Sequence, residues 1–115
     1  VSDPTLVTET YFRACSTAMS ARELSRAGRC LVEESAVADQ ERLQRVRAIM
    51  RTCGLYDAAG DFAFRVGLPA KSGVGGGILA VEPGEYSVAV WSPALDQKGN
   101  SVAGVRALEL LTDMV

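Results

Sequence analysis

Apolar residues recur along this chain with two different periods, separated by the glycine-rich stretch Gly67–Gly77. Before that stretch the spacing is mostly helical. Thr8–Ala14 reads as a short helix carrying Tyr11 and Phe12. Ser20-Ala-Arg-Glu23 is a capping box, in which hydroxyl and carboxylate each satisfy a backbone N–H at a helix start. It predicts a helix over about 21–34, with Leu24, Gly28 and Leu31 on one face and Arg29 placed to pair with Glu33. Asp39 is positioned to cap a second helix. There Leu43, Val46, Met50 and Cys53 follow 3-4-3 spacing, which predicts one buried stripe. Arg42, Arg45, Arg47 and Arg51 then fall on the solvated remainder, and Gly54 ends the helix. After the turn Tyr56–Gly60, the residues Phe62, Phe64 and Val66 alternate with Ala63 and Arg65, the period of a strand.

Beyond the glycines, Ile78–Val81 is a short apolar run suited to a buried strand. Glu82-Pro83-Gly84-Glu85 fits a type II turn, with proline second and glycine third. Tyr86, Val88 and Val90 alternate with polar or small neighbours and predict the returning strand of a hairpin. Ser92–Gly99 reads as a loop, and Asn100 or Ser101 as the cap of a last helix over 102–113. That helix is apolar around much of its girth, so it must pack between other elements. The pattern is α+β, with antiparallel strands and flanking helices in a single domain.

Composition narrows the chemistry more than the fold. The 115 residues make one domain or part of one, with 48% hydrophobic and 23% charged residues. A net charge of −2 provides no field toward nucleic acid, and no apolar run approaches a bilayer-spanning length. Neither nucleic acid nor membrane is expected as a partner. Val1-Ser-Asp-Pro carries no initiator methionine and no apolar signal region, which reads as a fragment or a processed chain. Cys15, Cys30 and Cys53 are far apart and odd in number, and histidine is absent. This argues against a zinc site and for reduced thiols in a cytoplasmic protein. No metal or cofactor is expected. Without histidine, any nucleophilic scheme needs lysine or tyrosine as its base.

The glycines at 67, 73, 75, 76 and 77 point to special backbone geometry, either a bulged edge strand or close approach to a ligand. Lys71-Ser72 lacks the glycine that a phosphate loop needs where Ala70 stands. Gly75–Ala80 formally fits a dinucleotide fingerprint, but no helix follows to hold a pyrophosphate. A third reading fits better. Lys71-Ser72-Gly73 at the head of a glycine-rich strand resembles the K-T-G strand of serine β-lactamases and penicillin-binding proteins.

The longer context is more specific. Met50-Arg-Thr-Cys-Gly54-Leu-Tyr56-Asp57 and Gly60–Ile78 closely resemble the serine-dependent glutaminases. So do Tyr11-Phe12 with Cys15-Ser16, and Ser92-Pro93 with Leu95-Asp96 and Gly99-Asn100-Ser101-Val102. The resemblance covers about residues 10–111, in order, and implies a β-lactamase-like fold, of which this chain is the C-terminal portion. It implies hydrolysis of L-glutamine to L-glutamate and ammonia through a serine acyl-enzyme, in a homo-oligomer. By the same resemblance Tyr56 is the general base and a substrate contact, with Lys71 as its catalytic neighbour. Tyr11 is a second substrate contact. The Val74 backbone N–H helps hold the oxyanion, and Ser72, Gly73 and Gly75 form the supporting strand.

Two departures accompany it. No serine here is followed by lysine three residues later, so the family's Ser-x-x-Lys pair is not in this chain. Leu31–Gln40 is also shorter than the corresponding loop of the family and lacks its Asn-Gly-Gly and proline turn. The chain alone is therefore expected to have no turnover and to need the remainder of the domain. The alternative is a non-catalytic glutamine-binding or assembly module of the same fold. A penicillin-recognising hydrolase is a third reading, and the extended match argues against it.

Overall fold

The computed structural model describes residues 3–114, and five helices and three strands follow one another along them. Helix α1 (Pro4–Cys15) begins where the Asp3 carboxylate accepts the Thr5 N–H at 2.9 Å. Pro4 occupies the first turn, where a missing N–H costs nothing. The helix is longer than the apolar pattern alone indicates, and none of its residues is buried.

Helix α2 (Ala21–Gly28) starts at the predicted capping box: the Glu23 N–H donates to Ser20 Oγ, and the Ser20 N–H donates to the Glu23 carboxylate. The Ser20 N–H and, after it, the Ser20 hydroxyl both donate to Glu23 Oε2 at 2.8 Å and hold the Glu23 carboxyl below its ordinary range. The helix is shorter than the expected 21–34. It tightens into a 3-10 turn at Arg29–Leu31, and residues 32–39 are irregular.

Helix α3 (Gln40–Cys53) has its cap at Asp39 as expected, but its buried stripe differs. Leu43, Arg47 and Met50 face inward, whereas Val46 and Cys53 are exposed. Arg47 replaces Val46 because its guanidinium has somewhere to go. Its Nε donates to Leu31 O at 2.7 Å and its Nη2 to Val32 O at 2.6 Å, which ties α3 to the end of the 3-10 turn.

The strand expected at Phe62–Val66 is instead helix α4 (Ala59–Arg65). Phe62 is buried and so is Val66 four residues on, while Phe64 between them is 90% exposed. Asp61 and Arg65 pair along the helix at 3.1 Å.

Strands β1 (Ala70–Ser72), β2 (Gly77–Glu82) and β3 (Tyr86–Trp91) form an antiparallel sheet in the order β1-β2-β3. Lys71 lies opposite Leu79, and Leu79 opposite Ala89. The hairpin turn is the predicted one: Gly84 has φ 82° and the Glu85 N–H donates to Glu82 O. One sheet face carries Ala70, Ile78 and Ala80 into a core with Leu55, Phe62, Val66, Leu68 and Leu108. On the other face Val81 packs with Val32 and Met50, and Gly28 of α2 lies against Leu79. Helix α5 (Val102–Thr112) contributes Leu108 to the first core. Only one side of it is covered, since Val102 and Leu110 stay exposed among the described residues.

Candidate active site

The site begins with a close approach that only glycine permits. Gly54 ends α3 against β1, where an added Cβ would lie 1.7 Å from Ala70 O. Ser72 completes the contact: its N–H and its hydroxyl both donate to Gly54 O, at 3.0 and 3.3 Å. With α3 locked to β1, the next two residues have a fixed origin. Leu55 turns into the core, and Tyr56 turns out, 44% exposed.

Tyr56 has φ 51°, the one positive φ at a non-glycine position among the described residues. For a bulky L-residue that conformation costs on the order of 1–2 kcal/mol, so the surroundings must hold it. Lys71 is the outward residue of β1. Its ammonium donates to Ser72 O and stands 4.8 Å from the centroid of the Tyr56 ring, a cation–π contact.

The residues after β1 form a tight turn, closed by Gly73 N–H to Gly77 O and by Gly76 N–H to Gly73 O, both 2.9 Å. Val74 sits at its tip with its side chain 70% exposed. Its N–H makes no hydrogen bond among the described residues. Two groups from the end of β3 pin the turn: Trp91 Nε1 donates to Gly75 O at 2.9 Å, and Ser92 N–H to Gly76 O at 3.0 Å. Gly99, at φ 86°, lies against both parts of the site. A Cβ there would meet Val74 Cγ1 at 3.5 Å and Tyr56 Cε2 at 3.8 Å.

The structure thus brings together Tyr56, Lys71, Ser72, Gly73, Val74 and Gly75. It does not bring Tyr11 to them. Tyr11 lies on α1, 65% exposed, with its ring 6.1 Å from that of Phe12. A hydrogen bond with Cys15, one turn on, raises its phenol above the ordinary value of 10.0, and the charge of Cys15 adds to that.

Sequence reasoning missed Trp91, Gly99 and Asn100 as members of this region. The Gly99-Asn100-Ser101 run was the available signal, but its spacing before an apolar helix reads as a cap. Ser101 alone is the cap, accepting the Gly104 N–H at 3.0 Å. Asn100 points inward instead.

Chemically the wall presents a phenol, an ammonium and an unengaged backbone donor within one surface, the set needed to move a proton beside a developing oxyanion. Among the described residues no group of three or more metal-ligating side chains comes together. No helix among them is long and apolar enough to cross a membrane.

A family model described as Glutaminase matches residues 1–115. A glutaminase of Azorhizobium caulinodans is 58% identical over 108 residues, covering 88% of this chain and 35% of that protein. One from Vibrio cholerae is 52% identical over 116 residues, covering 95% of this chain and 38% of that protein. Among solved structures, a Bacillus subtilis glutaminase superposes with a TM-score of 0.78 at 30% identity, over 84% of this chain and 38% of its own. It was captured in covalent complex with 5-oxo-L-norleucine, formed by reaction with 6-diazo-5-oxo-L-norleucine. The probable glutaminase YbaS superposes with a TM-score of 0.84 at 39% identity, over 97% of this chain and 38% of its own. The chain spans little more than a third of the length of the curated relatives it matches.

Proposed function

The chain belongs to the glutaminase family, with the β-lactamase-like fold of its solved neighbours, and from that membership we propose that it is the C-terminal portion of a glutaminase domain. The intact enzyme hydrolyses L-glutamine to L-glutamate and ammonia. A serine outside this chain attacks the side-chain amide carbonyl, and the C–N bond breaks as ammonia leaves. Water then cleaves the acyl ester to give glutamate and restore the serine.

The observation that carries this reading is the grouping of Tyr56, Lys71 and Val74. The Lys71 ammonium stands over the Tyr56 ring, and the Val74 N–H at the neighbouring turn makes no hydrogen bond among the described residues. In our reading Tyr56 delivers a proton to the departing nitrogen and takes one from water in the second half-reaction. The Lys71 ammonium holds the tyrosine ring through their cation–π contact. The Val74 N–H and the serine's own N–H hold the oxyanion, and a single such donor is worth about 3 kcal/mol of barrier. Ser72, Gly73 and Gly75 keep the strand and turn in place and leave room for substrate against the backbone.

The covalent adduct of the Bacillus subtilis relative supports both substrate and nucleophile. A diazoketone in place of the glutamine amide is the reagent that an enzyme nucleophile attacks. Tyr11 would contact the glutamine from α1 once the remainder of the domain orients that helix. Exposed Leu6, Val7 and Phe12 on α1, with Val102 and Leu110 on α5, leave apolar surface for that remainder and for a homo-oligomeric neighbour. The three unpaired cysteines fit a cytoplasmic enzyme.

Tyr56→Phe in the full-length protein tests the assignment. The expected result is a loss of about 10²–10⁴-fold in kcat with the fold intact. Turnover near that of the wild type would remove Tyr56 from the chemistry.

A further inference from the structure

Tyr56 is held in an unfavourable backbone conformation, and the residues that hold it come from one short loop. Asn100 is completely buried. Its Nδ2 donates at 3.2 Å to the carbonyl of Leu55, the peptide group that leads into Tyr56. That carbonyl also accepts the Ala58 N–H at 3.0 Å, so both of its lone pairs are used. Fixing this peptide plane fixes one of the two planes that define φ of Tyr56. Two residues earlier, Lys98 Nζ donates to Asp57 O at 3.4 Å, on the other side of Tyr56. Between them Gly99 lies against the tyrosine ring itself. Three consecutive residues, 98 to 100, thus engage Asp57, Tyr56 and Leu55 in turn.

The loop that carries them is itself rigid. Asp96 Oδ1 accepts the N–H groups of Lys98 and Asn100, each at 2.9 Å, and the Asp96 N–H donates to Asn100 O at 2.8 Å.

The second amide atom of Asn100 sharpens the point. Its Oδ1 is buried and has no hydrogen-bond partner among the described residues. A half-satisfied amide in a core is a poor choice for stability alone, because an unpaired buried acceptor is costly and an apolar residue would avoid it. Its one bond, to Leu55 O, serves geometry instead.

We propose that Asn100 is a positioning residue for Tyr56, and that residues 98–100 act together as a clamp that sets where the phenol stands relative to Lys71 and Val74. The proposal rests on the reading of Tyr56 as the proton carrier. It adds that Asn100 touches neither substrate nor reacting atom and acts through Tyr56 alone.

The test is a double-mutant cycle on the full-length enzyme, with Asn100→Ala, Tyr56→Phe and the pair. Displacing a proton carrier by a fraction of an ångström is expected to lower kcat by roughly 10–100-fold, with KM within about threefold of the wild type. In the Tyr56→Phe background the same substitution should change kcat by less than about twofold, since the group it positions is gone. An equal loss in both backgrounds would show general structural support and overturn the proposal, as would an unimpaired Asn100→Ala beside an inactive Tyr56→Phe. An active Tyr56→Phe would remove the Tyr56 reading itself, and the clamp with it. If Asn100→Ala does not fold, Lys98→Met releases the opposite hold at an exposed position. It should lower kcat by about two- to fivefold, again only when Tyr56 is present. A kcat unchanged by Lys98→Met would then sink the clamp.

Discussion

Tyr56 and Tyr11 are both partly exposed phenols, and they stand on ground of different kinds. Around Tyr56 the chain is locked by buried polar contacts and close backbone approach. Gly54 abuts β1, Ser72 ties to Gly54 O, and Asn100 reaches Leu55 O. Around Tyr11 nothing is buried. Helix α1 is stabilised by its own termini and by local bonds, such as Thr8 Oγ1 to Pro4 O and Thr10 Oγ1 to Leu6 O, both 2.8 Å. Its 12 residues are close to the shortest length at which an isolated helix persists in water. The chain therefore pre-organises one phenol by tertiary packing and presents the other on a helix that owes its order to sequence neighbours. In the proposed site both would be used, and only the ground of Tyr56 is self-supporting here.

The largest expected effect strikes that wall. Gly54→Ala drives a Cβ into the Ala70 carbonyl, so α3 must move off β1. A loss of about 3 kcal/mol or more is expected in denaturant unfolding of the full-length protein. A loss below about 1 kcal/mol would mean that the contact between α3 and β1 is loose, and the contrast with α1 would weaken.

A titration sharpens the comparison further. The Tyr86 phenol at the start of β3 is raised above 10.0, first by burial and then by the charges of Glu82 and Glu85. The folded chain holds that proton more tightly than the unfolded one. Its contribution to stability is thus full below pH 10 and is lost as pH rises through the folded value. Alkaline melts should show this decline, and Tyr86→Phe should remove it. Tyr11 is also raised, but by Cys15 on its own helix, so its titration should follow the helicity of α1 and not global unfolding. Ultraviolet titration of Tyr86→Phe and Cys15→Ala separates the two.

The smallest effect is expected on α1 itself. Phe12→Ala in the 115-residue chain should change stability by less than about 0.5 kcal/mol, as for an exposed side chain. A cost of about 3 kcal/mol or more would show that Phe12 is packed within this chain.

Where the sequence was legible, the signal was local and redundant. The capping box at Ser20, the cap at Asp39, the Pro-Gly turn and the hairpin each combine a specific residue with a period, and all four appear in the structure. Phe62–Val66 failed because positions 62 and 66 satisfy a strand and a helix equally. Only Phe64 separates the two, and its exposure is set by tertiary structure. Arg47 was placed with the solvated arginines, since nothing in its neighbourhood shows that two carbonyls fifteen and sixteen residues away accept its guanidinium. At the site, family resemblance pointed to Tyr56, Lys71 and Val74, and the structure places them together. It gave no sign of the clamp, because Asn100 meets Leu55 across 45 residues of sequence.

The positive φ of Tyr56 has an evolutionary edge. Glycine or asparagine at position 56 would relax the backbone, and glycine would adopt that conformation at little steric cost. A directed-evolution campaign that selects the full-length protein for heat resistance alone would be drawn toward those codons, and toward a more robust protein that has lost the phenol. If Tyr56 is the proton carrier proposed above, screens for durable variants of the full-length protein need an activity gate at residue 56 from the first round.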